Sequence, residues 1–549
     1  MVVTKDIDTG EVNIWKAASN LVEYLKDTTL IVAHNGISFD FPILNKLWST
    51  KIRLSQVYDT LIASRLLNPS IENGHSLDAW GERMKTLKKV DYKRIWLWLM
   101  DKQQEEYKGE CFNVPHMALL EYYCIRDVEV TCNLYKHLTD ELTKKGFSQE
   151  SIDLEHKVAS IISEQERNGF KLDLPFATCL LADIKGKMAG IYEQMQERWP
   201  PVITQRFHKT SGKPIKDCVD TFNPGSRKQI GEKLMELGWK PKDFTEKGQP
   251  IVDETVLANV KIPEAQMIAE YLMLQKRVAQ IESWLEAVGK DGRVHGKVIT
   301  NGAVSGRATH SSPNMAQIPA TRSEYGKECR SCWTVEEGNV LVGTDLSGIE
   351  LRCFAHYLND TEYSNEVVNG DVHTRNQKAF GVATRDLAKT VLYATLYGAS
   401  PGKVGTIIGG SEKQGRKIID NFQRNVPAYA TLKKKVSKFA AKGWIPGLDG
   451  RRLQIRSEHS ALNTLLQSAG AIIAKQWIVC FHEELRKKKV PFKLVAWVHD
   501  EVQIEVPKIY GTMVGEIVVK AAADAGEILK FRCPVGAEFK TGKNWYDCH

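Results

Sequence analysis

The sequence contains no run of eighteen apolar residues, and its first residues, Met1-Val-Val-Thr-Lys-Asp, do not lead into an apolar stretch. The first absence excludes an obvious membrane-spanning helix and the second a secretory signal peptide, so we expect an intracellular protein. The eleven cysteines show no paired spacing, as is typical of reduced thiols. One Cys-x-x-Cys pair, Cys329 and Cys332, lacks the second pair that a structural zinc site requires.

The net charge is small, only +8 in 549 residues. This length, with 42% hydrophobic residues, predicts three or four domains, each with its own core. Lysine and arginine are concentrated at positions 83–94, 433–438 and 486–489. These runs fit local surfaces that face a polyanion, and each run also fits a solvated helix face.

Residues 493–506 predict a β-hairpin with charged residues at its tip. Apolar residues alternate on both sides of His499-Asp500-Glu501, as in half-buried strands. An earlier apolar stretch, residues 341–344, ends in Asp345 and leads into a predicted helix. If the two strands are neighbours, the carboxylates of Asp345 and Asp500 converge and can bind Mg²⁺, which prefers oxygen ligands. The alternative for each acid is an exposed turn.

Four side chains spaced by four residues share one face of the next informative helix. They are Arg385, Lys389, Tyr393 and Tyr397. A stripe of two cations and two phenols can bind a triphosphate at one end and a base and sugar at the other. Tyrosines at this spacing more often belong to a core and cations to a surface, but their combination on one face favours a binding site.

Polar side chains near these stretches suit contact with a nucleic acid. Glycine-rich turns direct Arg307, and Asn314 and Gln317 follow it in a polar segment. Residues 462–471 predict a helix of small residues that carries Gln467. Such a helix fits either close packing beside a minor groove or an ordinary buried helix.

The region after residue 150 is predicted to be helical. Long amphipathic helices are expected at residues 151–165, 177–198 and 262–288. A polar, basic loop at residues 208–216 lies between the second and the third. The region fits a clamp along a duplex backbone and, equally, a plain linker domain.

The first 150 residues alternate predicted strands and helices. A strand ending at His34-Asn35-Gly36 is followed by Asp40, and Tyr123 and Asp127 share a helix face. These stretches resemble the second and third motifs of the DEDD 3′-5′ exonucleases, which have a ribonuclease H-like fold. The first motif of that family, Asp-x-Glu on the opening strand, has no match, because Asp6-Ile-Asp8 reads as a hairpin turn. We therefore expect the chain to begin after that strand and to lack the carboxylates needed for nuclease activity.

Three stretches together resemble motifs A, B and C of the family A DNA polymerases, closest to the phage replicative branch. They are Asp345-Leu-Ser-Gly-Ile-Glu350, the helix from Arg385 to Tyr397, and His499-Asp500-Glu501. The resemblance implies a multidomain α/β and α+β fold, in which a right hand of palm, fingers and thumb follows the ribonuclease H-like domain. The expected boundaries are 1–150 for the exonuclease-like domain, 151–290 for the helical thumb, 291–370 and 446–549 for the palm, and 371–445 for the fingers.

The resemblance further implies template-directed addition of deoxynucleotides to a primer 3′ end. It implies two Mg²⁺ ions bound by Asp345 and Asp500, with Lys389 as the third catalytic residue. The implied nucleotide-binding residues are Arg385, His373, Glu350 and Tyr393. The implied primer–template contacts are Arg307, Asn314, Gln317, Tyr397, Gln467, His499 and Glu501. In the exonuclease-like domain, the residues that match the family motifs are Asn35, Asp40, Tyr123 and Asp127.

The implied partners are primer–template DNA, deoxynucleoside triphosphates, and a phage helicase-primase and single-strand binding protein. Phage relatives recruit a host thioredoxin through a long thumb insertion, but only about twenty residues separate Pro201 from Phe222, so no thioredoxin partner is expected. A monomer without membrane attachment, in the cytoplasm of an infected bacterium, is the expected setting. The alternative functions are a 3′-5′ exonuclease and a DNA-binding accessory protein, each with an inactive polymerase half.

Overall fold

Two short strand pairs and a long helix organise the N-terminal part of the protein. The computed structural model describes residues 1–85, 89–102, 110–208 and 210–549, so part of the basic run at 83–94 lies outside the described residues. The elements are β1 (Val2–Lys5), β2 (Val12–Trp15), α1 (Ala18–Lys26), β3 (Ile31–Ala33), α2 (Asp40–Trp48), β4 (Val57–Asp59), α3 (Thr60–Leu67), α4 (Leu77–Met84), α5 (Tyr92–Leu99) and α6 (Met117–Lys144). β1 and β2 form an antiparallel hairpin, β3 and β4 form a parallel pair, and α6 packs against both β1 and β3. The hairpin confirms the turn predicted at Asp6-Ile-Asp8.

Long helices dominate the next region, as predicted. The elements are α7 (Gln149–Asn168), β5 (Phe170–Leu172), α8 (Leu174–Arg198), β6 (Val202–Phe207), β7 (Pro214–Asp220), α9 (Arg227–Glu236), α10 (Glu254–Asn259) and α11 (Pro263–Ala287). The loop predicted at 208–216 is only partly a loop, because β6 and β7 form an exposed antiparallel ribbon around it. Sequence patterning missed this ribbon because strands that bury neither face need no alternation of apolar residues. Residue 209, within this segment, lies outside the described residues.

The central part of the chain alternates one long strand with many helices. The elements are β8 (Arg293–Val294), β9 (Lys297–Ile299), β10 (Thr309–Ser311), α12 (Gly326–Ser331), β11 (Trp333–Thr334), β12 (Asn339–Leu346), α13 (Ile349–Leu358), α14 (Thr361–Asn369), α15 (Val372–Phe380), α16 (Arg385–Leu396), α17 (Pro401–Ile407), α18 (Glu412–Asn425), α19 (Pro427–Ala440) and β13 (Trp444–Pro446). The predicted stripe helix is thus α16, which ends one residue before Tyr397.

The last hundred residues complete a four-stranded antiparallel sheet. The elements are β14 (Arg452–Gln454), α20 (Ala461–Lys487), β15 (Lys493–Val498), β16 (Glu501–Pro507), α21 (Gly511–Ile528) and β17 (Ala537–Gly542). The strand order is β15-β16-β12-β17, so the predicted hairpin pairs directly with the strand that ends near Asp345. This topology confirms that the two acidic stretches are neighbours.

The largest core lies between this sheet and the helices packed on it. α20 runs through its centre, in contact with α7, α13 and α21. Among the described residues, one segment, Glu458–Lys487, is long and apolar enough to cross a membrane, but 78% of its most apolar window is buried within the fold. Its hydrophobicity is therefore that of a central core helix.

A buried ionic cluster connects α7 to this core. Glu155 of α7 accepts hydrogen bonds from Lys475 of α20 and pairs with Arg451, both at 2.6 Å. Arg451 also binds Asp449, again at 2.6 Å. All four side chains are at most 2% exposed. The cluster therefore holds α20 and the residues just before β14 against α7.

Candidate active site

The ends of β12 and β16 bring the predicted acids together. Asp345 lies directly opposite Glu501 in the antiparallel register, and Asp500 immediately precedes that residue. The amide of Leu346 donates to the Asp500 carbonyl at 3.0 Å, which ties the strand end to the turn. The predicted convergence of Asp345 and Asp500 is therefore confirmed.

A two-residue turn presents Asp500 at the tip of the hairpin. His499 adopts a positive φ of 58°, and its carbonyl accepts the indole N–H of Trp497 at 2.9 Å. Because β15 and β16 are buried on both sides of the turn, the apolar strands hold the tip in one place. His499 itself is exposed, and Asp500 is half-buried.

Negative charge is concentrated at this end of the sheet. Desolvation in the concave site, followed by the charges of Asp500, Glu501 and Glu538, raises the pKa of Asp345 to about 7, although its carboxylate is open to solvent. Burial also raises the pKa of Asp500. Since both shifts penalise the ionised forms, a bound cation would relieve the repulsion.

The donor set fits Mg²⁺. Both candidate ligands are carboxylates, the oxygen donors that this hard cation prefers. Among the residues described, no three Asp, Glu, His or Cys side chains converge. Two carboxylates are the usual protein contribution where substrate phosphates and water supply the remaining ligands.

Helix α16 carries two cationic side chains, Arg385 and Lys389, in its first turns. Thr384 caps its first turn, and Arg385 donates to Asp371 at 2.9 Å. His373 lies near both Arg385 and Lys389, whose charges, after burial, lower the pKa of its imidazole. Lys389 is exposed and forms no ion pair within the described part of the chain. The structure thus brings three of the predicted nucleotide-binding or catalytic residues, two cations and one histidine, to one place.

Tyr397 and Arg307 both bind Glu350. The Tyr397 hydroxyl donates to the two carboxylate oxygens at 2.8 and 2.7 Å, and Arg307 pairs with one of them at 3.4 Å. The Tyr393 ring lies 6.3 Å from that of Tyr397. These contacts join three parts of the chain. They are the start of α13 with Glu350, the glycine-rich segment with Arg307, and the end of α16 with Tyr397. Gly398, with φ of 81°, must be glycine there because a Cβ would lie 2.3 Å from the His459 carbonyl.

The other predicted primer–template residues lie on separate elements. Gln467 is half-buried on α20. Asn314 caps a short 3₁₀ turn by accepting the Ala316 amide at 3.1 Å. Gln317 ends that turn, and its carbonyl accepts the Gln280 side chain of α11 at 2.9 Å. The turn is therefore bonded to the long helix α11.

Glu501 is bound by the C-terminal segment. Its carboxylate accepts from Trp545 and, at 3.0 Å, from His549, and it lies 3.6 Å from Arg330. Its side chain is 11% exposed, so most of it is withdrawn from the open part of the site. Sequence reasoning missed these three partners, because the nearest lies 44 residues from Glu501 in the chain and only the tertiary fold brings them together.

The exonuclease-like residues do not form a complete carboxylate cluster among the described residues. Asp127 pairs with Lys89 at 3.2 Å, and the Lys89 ammonium lies over the Tyr123 ring. Burial, followed by the charge of Asp59, raises the pKa of Asp40 to about 6. Asp59, the last residue of β4, is 1% exposed and accepts hydrogen bonds from three backbone amides. That carboxylate holds the Asn35-Gly36 turn and is not open to a ligand.

Comparisons with known proteins find two matching family models. The chain matches the family model of DNA polymerase family A over residues 194–547 and that of a 3'-5' exonuclease over residues 2–143. The DNA-directed DNA polymerase of Enterobacteria phage T3 is 35% identical over 661 aligned positions, covering 95% of this chain and 92% of the relative. That of Escherichia phage T7 is 34% identical with the same coverage.

The solved structures include one with the same fold over nearly the whole chain. It is the POL domain of Pol1 from M. smegmatis in complex with a DNA primer-template and dNTP. The match has a TM-score of 0.77 and 21% identity, and covers 96% of this chain and 88% of that one. The phage alignments are longer than this chain, so those relatives carry residues that it lacks.

Proposed function

The chain belongs to DNA polymerase family A and is a DNA-directed DNA polymerase, and we propose that it extends primers by two-metal nucleotidyl transfer during phage DNA replication. The observation that carries the mechanism is the paired Asp345 and Asp500 at the sheet end, with the pKa of Asp345 raised to about 7. Asp345 and Asp500 would hold two Mg²⁺ ions, which would supply Lewis acidity toward the primer 3′-hydroxyl and positive charge toward the leaving pyrophosphate.

The chain's own cations complete the chemistry. Lys389, exposed and unpaired among the described residues, is positioned to donate a proton to the pyrophosphate and to stabilise its charge. Arg385 and His373, which lie beside it, bind the triphosphate. Arg385 must then exchange its bond with Asp371 for one with phosphate, and both groups are exposed enough to do so.

Nucleotide selection is assigned to Glu350 and Tyr393. Glu350, held by Tyr397, closes the sugar pocket against a 2′-hydroxyl, and Tyr393 packs under the ribose. A tyrosine at this position implies that dideoxynucleotides are accepted. The primer–template contacts are assigned to the residues predicted for them. Arg307 and Gln467 contact the minor groove. The residues around the primer end are Asn314, Gln317, Tyr397, His499 and Glu501.

The proposed domains are those expected from the sequence. They are an exonuclease-like domain at 1–150, a thumb at 151–290, a palm at 291–370 and 446–549, and fingers at 371–445. The sheet and α20 support the palm, and the two long helices α8 and α11, which pack together, support the thumb.

The proposed setting is the cytoplasm of an infected bacterium. Primer–template DNA and deoxynucleotides are the direct partners, in keeping with the ligands of the M. smegmatis structure. A phage helicase-primase and single-strand binding protein are further partners of a monomeric polymerase. A thioredoxin partner is not proposed, because the described residues between α8 and α9 form the short β6–β7 ribbon in place of a long insertion.

The deciding experiment is primer extension by the parent and by Asp500→Asn with Mg²⁺. We expect extension by the parent and loss of at least a thousandfold in the variant, because one of two metal-binding carboxylates is removed. Asp524→Asn, on α21 and away from the site, is the matched control. Equal extension by Asp500→Asn would overturn the mechanism and favour the alternatives, a nuclease or a DNA-binding accessory protein with an inactive polymerase half.

A further inference from the structure

An acidic side chain accepts hydrogen bonds from a cluster of donors at the start of α15. Oδ1 of Asp371 accepts the backbone amides of His373 and Thr374 at 3.2 and 3.3 Å, and Oδ2 accepts the Thr374 hydroxyl at 2.7 Å. Nε of Arg385, on α16, donates to both oxygens, at 3.1 and 2.9 Å. Backbone amides at a helix N-terminus, a hydroxyl and a guanidinium are also groups that bind phosphate. The protein's own carboxylate therefore binds Arg385 as a phosphate would.

The pair between Asp371 and Arg385 lies at the surface, so it can open at little cost. The two side chains are 46% and 50% exposed. The hydrogen bonds from Arg385 and then from Thr374 lower the pKa of Asp371, so this carboxylate is ionised at neutral pH. Exposed pairs of this kind contribute little to stability, because water solvates both partners after they separate. Arg385 forms no other ion pair in the described part of the chain, so opening the pair leaves its guanidinium available to another anion.

Lys389 differs from Arg385 in this respect. It lies one turn further along α16, and no acid pairs with it among the residues described. Asp371 thus restrains one of these two cations and leaves the other available. A phosphate that binds Arg385 must displace a carboxylate, whereas a phosphate that binds Lys389 meets no such competitor.

We propose that Asp371 sets the affinity for nucleotide and for pyrophosphate by competing with phosphate for Arg385. This inference rests on the proposed function, in which Arg385 binds the triphosphate. The incoming triphosphate displaces the Asp371 carboxylate from the guanidinium, and the carboxylate pairs with Arg385 again as pyrophosphate leaves. Pyrophosphate has no base or sugar whose contacts offset the cost of this displacement, so the competition favours its release.

The test compares Asp371→Asn with the parent in single-turnover incorporation of one nucleotide with Mg²⁺, with and without inorganic pyrophosphate. Asparagine caps a helix as well as aspartate does, so the variant loses the charge and keeps the start of α15. We expect the dissociation constant of the nucleotide and the inhibition constant of pyrophosphate each to fall about threefold, the scale of one exposed ion pair. No change in either constant would overturn the proposal. So would an increase, because it would mean that Asp371 positions Arg385 for phosphate.

Asp386→Asn is the matched control for charge alone. Asp386 is an exposed acid in the first turn of α16, next to Arg385 in the chain, and no ion pair joins the two side chains in the described structure. This variant removes the same charge close to the same site and should change neither constant. An equal fall in Asp386→Asn would mean that the general negative charge weakens phosphate binding, and direct competition for Arg385 would be refuted.

Arg385→Gln separates this inference from the proposed function. It should raise the dissociation constant of the nucleotide about tenfold, as expected for loss of a charged hydrogen bond, and adding Asp371→Asn should then have no further effect. A fall of threefold in that background would show that Asp371 acts without Arg385 and would overturn the competition alone. An unchanged constant in Arg385→Gln would refute the triphosphate contact of the proposed function, and the competition with it.

Discussion

At the residue scale, the raised pKa of Asp345 has a consequence for stability. The folded protein holds this proton more tightly than the unfolded chain does, so the ionised carboxylate destabilises the fold above pH 7. This destabilisation decreases as the pH falls through about 7, because the carboxylate of the folded protein becomes protonated. It is absent below pH 3.8, the ordinary pKa of an aspartate. Asp345→Asn should therefore raise the melting temperature in EDTA at pH 8. The expected gain is only roughly 1 to 2 °C, because solvent screens the charge of an exposed group. At pH 3.5 the variant should not raise the melting temperature.

Calorimetry at the two pH values checks this prediction. Glu337→Gln, an exposed acid just before β12, is the control and should show no pH-dependent gain. A gain for Asp345→Asn that is equal at both pH values would mean that the amide stabilises by packing and that charge repulsion is not the cause.

The Tyr397 hydroxyl offers a second test at this scale. Its two hydrogen bonds to Glu350 hold the carboxylate that is proposed to reject ribonucleotides. Tyr397→Phe should lower the preference for deoxynucleotides over ribonucleotides roughly tenfold, as expected for loss of a hydrogen bond to a charged group. Single-nucleotide incorporation kinetics measure the ratio of kcat/KM for the two sugars. Tyr192→Phe on α8 is the control, and an unchanged ratio in Tyr397→Phe would separate the hydroxyl from sugar selection.

At the scale of elements, the buried cluster around Glu155 couples α7 to α20. Removing its charge leaves Arg451 and Lys475 buried without this counterion. Breaking such a pair on one side costs about 3 to 5 kcal/mol, so Glu155→Gln should unfold at clearly lower urea concentration than the parent. Glu150→Gln, on the same helix, should unfold like the parent. Similar midpoints for both variants would show that Asp449 alone compensates the two cations.

The sequence predicted some elements well for a physical reason. Three long helices, α7, α11 and α20, bury one face or all faces, so their apolar residues recur at helical spacing. The strand ends that carry Asp345 and Asp500 were recognised because a charged residue follows an apolar run at each. The β6–β7 ribbon buries no face and was missed. The Glu155 cluster was missed too, since Glu155 lies 320 residues from Lys475 in the chain and only the tertiary fold brings them together.

At the scale of the whole molecule, the two halves differ in how complete their sites are. The polymerase half has paired carboxylates, adjacent cations and a buried sheet supporting them. In the exonuclease-like half, Lys89 pairs with Asp127, and the buried carboxylate of Asp59 is occupied by three backbone amides. The chain should therefore extend primers without removing mismatched ends.

A single gel tests this difference between the halves. The chain is incubated with Mg²⁺ and a primer–template, in one lane with all four deoxynucleotides and in another with a mismatched primer end and no nucleotides. We expect extension in the first lane and no shortening in the second, because the Lys89 ammonium already pairs with Asp127 and weakens that carboxylate as a metal ligand. Asp127→Asn is the matched control, and it should leave both lanes unchanged. Shortening by the parent that Asp127→Asn abolishes would mean that Asp6, Asp8 or another acid completes the nuclease site when DNA binds, and the reading of β1–β2 as a plain hairpin would be wrong.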